Sequence, residues 1–209
     1  IGMGAGTVAA YARPGDAMRF YEIDPKVIAI ATDIDKFTYI SGCAAKAHVD
    51  WVLGDARLSL QKEQPGLFDV ILVDAFTSDA VPAHLLTVEA MRMYLQKLAP
   101  DGVVIMHLSN RNLDLERPVA AAAALAGGAS LQQFYNPPDR SDLVESPENV
   151  IIVARSQQAL APYRADPRWR PAHADGVRAW TDDYTNLFAA LIRRMRDRDE
   201  IRKATPPSP

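Results

Sequence analysis

Gly2-Met3-Gly4-Ala5-Gly6-Thr7 stands at the head of the chain, and acidic residues follow it at the ends of successive apolar runs. Glu22 and Asp24 close the run Met18 to Ile23, Asp55 follows Val49 to Leu53, and Asp74 ends Phe68 to Val73. A glycine turn followed by strand-end carboxylates is how an open parallel sheet holds an adenosine-containing ligand, in the crevice beyond the carboxyl ends of its strands. Such a turn needs an apolar strand before it, and only Ile1 precedes this one. The expectation is a chain truncated within the first strand of its sheet, with the edges of the second and fourth runs left unpaired.

Outward from the turn, strand-like and helix-like segments alternate. Thr7 to Ala12 reads as a short helix and Met18 to Ile23 as a strand. Pro25 opens a helix at its first position, where a missing N–H is harmless, with Val27, Ile30, Ala31 and Ile34 as its apolar stripe. Trp51 to Leu53 is a strand and Ala56 to Lys62 a helix. Phe68 to Val73 is a continuous apolar strand of the kind covered on both faces. A polar loop, Thr77 to Ala83, leads to a helix from Thr87 to Leu98. Pro100-Asp101-Gly102 reads as a turn into the strand Val103 to Leu108, and a helix follows from Pro118 to Ala126. Leu131 to Tyr135 and Asn149 to Ala154 read as a hairpin with a long polar loop.

This alternation predicts an α/β fold: a Rossmann-like, doubly wound, mostly parallel sheet. Residues 1–155 form the expected nucleoside-cofactor domain. Residues 156–203 form a C-terminal extension ending in a charged, solvated helix, and residues 204–209 a disordered tail.

Composition narrows the function. With 209 residues, a net charge of −3 and a pI near 5.8, the chain suits one domain with a small appendage and carries no basic surface for nucleic acid. Its single cysteine, Cys43, has no adjacent base, excludes an internal disulfide and suits a reducing, cytoplasmic setting. Cys43 therefore reads as structural. No apolar run is long enough to span a membrane.

The motifs bear the chemistry. Glycines at 2, 4 and 6 fit an S-adenosylmethionine-type ligand better than a nicotinamide dinucleotide, whose fingerprint would need glycine where Thr7 stands. Glu22 can accept both ribose hydroxyls, while Asp24 before Pro25 caps a helix. Asp55, with Ala56, can meet the adenine amine; the alternative is that Asp55 caps the next helix. Asp74 and Asp79, on the loop after the fourth run, are the candidate catalytic pair. A carboxylate there can anchor an ammonium and accept a proton as an amine attacks an electrophilic carbon. His107, ending a strand beside the expected cleft, is a candidate substrate contact, and His84 packs against or caps a helix. The four histidines show no metal-ligand spacing, and no metal is called for. Asp182-Asp183-Tyr184 reads as capping chemistry.

These pieces together resemble the spermidine synthase superfamily: Gly2 to Thr7, Tyr21-Glu22-Ile23-Asp24-Pro25, Gly54-Asp55-Ala56 and Phe68 to Asp74. Asp74 to Pro82, His84-Leu85-Leu86-Thr87 and Met106-His107-Leu108-Ser109-Asn110 look most like its bacterial spermidine synthase-like branch, whose members are often fused to a membrane domain. The resemblance implies a class I methyltransferase-type fold. It implies transfer of an aminopropyl group from decarboxylated S-adenosylmethionine to a polyamine amine, with methylthioadenosine released. By position, Glu22 would hold the ribose, Asp55 and Ala56 would meet the adenine, and Asp79 would be the proton acceptor with Asp74 as anchor or alternative base. A homodimer and a membrane domain ahead of Ile1 stay open. Ala5 stands where aminopropyltransferases carry an acid for the cofactor's free ammonium, and the loop acids are five positions apart rather than three. Two alternatives therefore stand beside the first reading: methyl transfer from intact S-adenosylmethionine, and a non-catalytic nucleoside-binding domain of a membrane-fused protein.

Overall fold

The computed structural model describes residues 1–43, 47–75, 82–110, 112–137 and 147–204, with the side chains of 198–204 left aside. The chain divides into two compact units, residues 1–64 with 73–81, and residues 65–72 with 82–209.

The first unit is built on two parallel strands, β1 (Ala17–Glu22) and β2 (His48–Leu53), in register from Ala17↔His48 to Glu22↔Leu53. On one face Phe20 packs with Met3, Ala9, Ile28 and Ala31, flanked by Met18 and Val49. On the other, the cross-strand pair Arg19 and Asp50 closes a forked ion pair at 2.7 Å, and Arg19 also reaches Glu63 at 2.9 Å. The Tyr21 hydroxyl donates to the same Glu63 carboxylate at 2.8 Å. Helix α1 (Pro25–Thr32) starts on an Asp24 cap, which accepts the Lys26 N–H at 2.8 Å. It buries Ile28 and Ala31, so Val27 and Ala31 of the expected stripe face the core, whereas Ile30 is 46% exposed and Ile34 lies beyond the helix end, 66% exposed. The helix is two turns long, so its inner face is set by Val27, Ile28 and Ala31. Cys43 is exposed on the turn Tyr39–Cys43 and fills no core position. Helix α2 (Ala56–Gln61) follows β2.

The second unit carries a five-stranded sheet in the order β3 (Phe68–Val73), β4 (Leu98–His107), β6 (Glu148–Ala154), β5 (Ala129–Tyr135), β7 (Arg170–Pro171). β5 and β6 form the expected hairpin, and β6 inserts antiparallel beside β4, from Val103↔Ala154 to His107↔Val150. In β3, Ile71 and Val73 are buried but Asp69 and Val70 are exposed, so only the second half is covered on the expected scale. β4 starts earlier than the expected turn and takes in Pro100-Asp101-Gly102.

Helix α3 (Val88–Lys97) is capped by Thr87, whose hydroxyl accepts the Ala90 N–H at 3.2 Å. Helix α4 (Glu116–Leu125) presents a buried alanine run, Ala120 to Ala123. Small side chains let Val88, Ala121, Ala122 and Ala179 close into one cluster. The short α5 (Ala161–Arg164) leads to the segment around Trp180, which is 1% exposed and accepts the Val88 N–H through its carbonyl at 2.9 Å. Helix α6 (Leu187–Ala204) ends the described chain. No helix among the described residues is long and apolar enough to cross a membrane.

Candidate functional site

In the first unit, backbone hydrogen bonds gather the sequence motifs at the carboxyl ends of the strands. Gly2 N–H donates to the Tyr21 carbonyl at 2.9 Å, and the Asp74 N–H donates to the Ile1 carbonyl at 2.9 Å. Gly54 N–H donates to the Glu22 carbonyl at 2.9 Å. The turn, the β1 end, the β2 end and the residue after β3 are thereby stitched side by side.

The turn itself depends on glycine. Gly2 has φ +84°, and a Cβ there would lie 2.2 Å from the Asp74 carbonyl oxygen. Two backbones meet with no room for a methyl group. Gly6, also at positive φ, faces Ile40 at 3.0 Å, whereas Gly4 faces open space.

Glu22 sits at the centre. Its Oε2 accepts the Met3 N–H at 2.9 Å, which ties the carboxylate to the glycine turn. Its Oε1 accepts from Ile23 N–H at 2.8 Å and Asp24 N–H at 3.0 Å. Three backbone donors fix a half-buried carboxylate in place. Asp55 caps α2, accepting the Leu58 N–H at 2.9 Å, and Ala56 is buried behind it. The capping alternative is therefore realised in this state. The Asp74 residue is exposed. Asp79 lies outside the described residues.

In the second unit, His107 ends β4 and is half-buried. Its Nε2 lies 2.5 Å from Glu148 Oε2, and the Ser109 hydroxyl donates to the same oxygen at 2.6 Å. Ser109 Oγ accepts the Asn149 N–H at 2.8 Å. The Asn149 amide donates to Glu116 Oε1 and accepts from Gln132 at 3.3 Å. Glu116 is 6% exposed, and its Oε2 is buried without a hydrogen-bond partner. Burial pushes its carboxyl up to about 7, against the opposing charge of Arg194, with neighbouring Asp114 adding to the rise. Burial also acts to raise Asp114, but hydrogen bonds from Arg193 and Arg117 outweigh it and hold that carboxyl below the ordinary range.

These last residues escaped the sequence reading. Arg193 and Arg194 are not merely solvated. Arg193 Nε donates to Asp114 at 2.7 Å, and Arg194 donates to the Asn110 carbonyl at 3.0 Å and reaches Glu116 at 3.4 Å. Arg117 bridges Asp114 at 3.0 Å and Asp197 at 2.8 Å. Asp182 does serve a cap, though of α3: it accepts the Thr87 hydroxyl at 2.8 Å. His84 is exposed. Glu148 and Ser109 had one legible sign, the alternation that puts His107 and Ser109 on one side of a strand end. Their meeting with Glu148 depends on a hairpin register that the intervening loop conceals.

Comparison with known proteins agrees with this architecture. No protein-family model matches the chain. It is 30% identical over 144 residues to a polyamine aminopropyltransferase of Vibrio vulnificus, a match covering 65% of this chain but 44% of that protein's length. Among solved structures it is similar to a probable spermidine synthase from Corynebacterium glutamicum, with TM-score 0.52 and 16% identity over 88% of this chain and 79% of the other. A methyltransferase from Methanosarcina mazei that depends on S-adenosylmethionine gives TM-score 0.50 and 12% identity, covering 73% and 88%. The fold is α/β of the Rossmann-like class I methyltransferase type, and the likeness in sequence is to the spermidine synthase superfamily.

Proposed function

We propose that the protein transfers an aminopropyl group from decarboxylated S-adenosylmethionine to a small-molecule amine of the polyamine class. One observation supports the reading most: direct backbone hydrogen bonds from Gly2 to Tyr21, Gly54 to Glu22 and Asp74 to Ile1 gather the motif-bearing strand ends, with Glu22 held on Met3. A nucleoside cofactor needs a close-approach backbone and strand-end carboxylates in one place. The aminopropyltransferase from Vibrio vulnificus points to the same chemistry.

In this reading Gly2, Gly4 and Gly6 let the backbone approach the ligand. Glu22 takes the ribose hydroxyls, and Asp55 with Ala56 meets the adenine. Asp74 anchors the acceptor nitrogen and Asp79 takes a proton. The nitrogen attacks the methylene next to the sulfonium. The C–N bond forms, the C–S bond breaks with its electron pair going to sulfur, and methylthioadenosine leaves as a neutral thioether. A sulfonium is already a good leaving group, so the protein contributes mainly positioning and electrostatics.

Ala5 favours a second reading, methyl transfer from intact S-adenosylmethionine, because the turn offers no carboxylate to the free ammonium of the decarboxylated cofactor. Calorimetric titration of the intact protein with both cofactors, and with methylthioadenosine as control, separates the readings. Preference for the decarboxylated form is the expected result. Preference for the intact form supports methyl transfer, and binding of none overturns both.

A further inference from the structure

The net charge of −3 hides a basic stretch in the second unit, where residues 155–178 hold five arginines and two aspartates. Both aspartates are engaged. Asp166 accepts from Arg168 Nε at 2.9 and 3.0 Å and from Nη2 at 2.5 Å, and Asp175 meets Arg117 of α4 at 3.3 Å. The Arg170 guanidinium has no ion pair or hydrogen bond among the described residues.

Arg168 and Arg170 wall an open groove of about 770 Å³. Gln132 and Phe134 of β5 stand two positions apart and so share one side of the sheet. The register Gln132↔Arg170 puts Arg170 of β7 on that same side. Pro167 and His173 complete the wall, and no aspartate or glutamate lines it. Phe134 is 56% exposed and leaves a ring uncovered at the groove. This lining selects by charge and by shape. Its arginines repel ammonium and sulfonium groups, so neither substrate of the proposed reaction suits it. A guanidinium is a planar fork that matches a phosphate group. Asp166 holds Arg168 by Nε and Nη2 only, which leaves its Nη1 uncommitted. An exposed aromatic ring offers a face on which a nucleobase can stack, and the volume is that of a small-molecule site.

We infer that this groove of the second unit binds a nucleoside phosphate, with the phosphate on Arg170 and Arg168 and the base against Phe134. A free nucleotide and a single strand of nucleic acid offer the same chemistry. The groove has the size of one small molecule, so the free nucleotide is the ligand assigned. The inference uses residues of the second unit alone and does not depend on the aminopropyl-transfer reading.

The test is calorimetric titration of the intact protein with ADP, with pyrophosphate and with a short single-stranded oligonucleotide. Methylthioadenosine is kept in excess throughout, to occupy the nucleoside motifs of the first unit. ADP should bind about 10-fold more tightly than pyrophosphate, which lacks the base. Arg170→Ala should weaken both by about 10-fold or more. Phe134→Ala should weaken ADP by about 10-fold and leave pyrophosphate unchanged. Both side chains are exposed, so each variant should keep the wild-type Tm, and the comparison of ADP with pyrophosphate needs no variant. Absence of ADP binding to the wild type overturns the inference. So does an ADP affinity in Arg170→Ala within about twofold of wild type, which would place the nucleotide elsewhere. An oligonucleotide that binds more than about 10-fold more tightly than ADP overturns the assignment to a free nucleotide.

Discussion

Glu22 accepts three backbone N–H groups, and that arrangement decides what its replacement does. Glu22→Gln keeps the shape but removes the charge that receives them, and a hydrogen bond to a charged group is worth about 1.5–3 kcal/mol. We expect nucleoside affinity to fall about 10- to 100-fold by calorimetry; an unchanged affinity would remove Glu22 from the site. Gly2→Ala puts a methyl group 2.2 Å from the Asp74 carbonyl and forces an alanine to φ +84°. The positive φ alone costs about 1–2 kcal/mol, and the clash adds to it. The expected outcome is a lowered Tm together with lost nucleoside binding, and a variant of wild-type stability would contradict the close approach. For the acids, Asp74→Asn and Asp79→Asn should each reduce kcat by about 100-fold while nucleoside affinity holds. Wild-type turnover in both would dismiss the pair.

The helices and strands follow from local signals. Thr87 before an amphipathic run, Asp24 before Pro25 and the apolar run Phe68–Val73 each announce their element within a residue or two. What sequence withholds is who meets whom. Arg193 and Arg194 look like the solvated face of a charged helix, yet α6 turns them onto Asp114 and Glu116, residues 79 and 78 positions away. The same holds for Glu148, which reaches His107 across 41 positions. For α1, a 3.6-residue period fitted the wrong isoleucine because the helix stops at Thr32, before the stripe can repeat.

The Asp114–Glu116 cluster gives this element-level docking a pH signature. Asp114 is 1% exposed, so Arg193→Ala removes a charged partner from a buried carboxylate and should cost about 1.5–3 kcal/mol in denaturant unfolding. Glu116 is raised by burial from 4.5 to about 7 in the folded state. Its folded form prefers the proton, so its contribution is fully present below pH 4.5. It is lost as pH rises to about 7 and changes little above that. The window corresponds to roughly 3 kcal/mol. Stability curves of wild type and Glu116→Gln measured from pH 4 to 8 should diverge through this window, with the variant flatter. Parallel curves would mean that Glu116 is ionised throughout.

Across the whole molecule, the nucleoside motifs fall in one unit and two of the three tryptophans in the other. Trp51 belongs to the first, Trp169 and Trp180 to the second. A ligand at 100 times its Kd stabilises the structure it binds by about 2.7 kcal/mol. Followed by single-tryptophan variants, decarboxylated S-adenosylmethionine should raise the unfolding midpoint seen by Trp51. A rise seen only by Trp169 or Trp180 would move the nucleoside site out of the first unit. The class of fold was legible because its motifs recur at strand ends in a fixed order, Gly2–Gly6, Glu22, Asp55, Asp74. The placement of β6 between β4 and β5 was not, because strand order is decided by pairing across the chain.

The bare backbone of Gly2 against the Asp74 carbonyl works as a pivot pin. No side chain lies between the two strands of chain to absorb a displacement, and the Ile1–Asp74 bond locks them at the same point. The glycine turn and the chain at Asp74 therefore travel together. A displacement at either one reaches the other in the same stroke, without a separate alignment step.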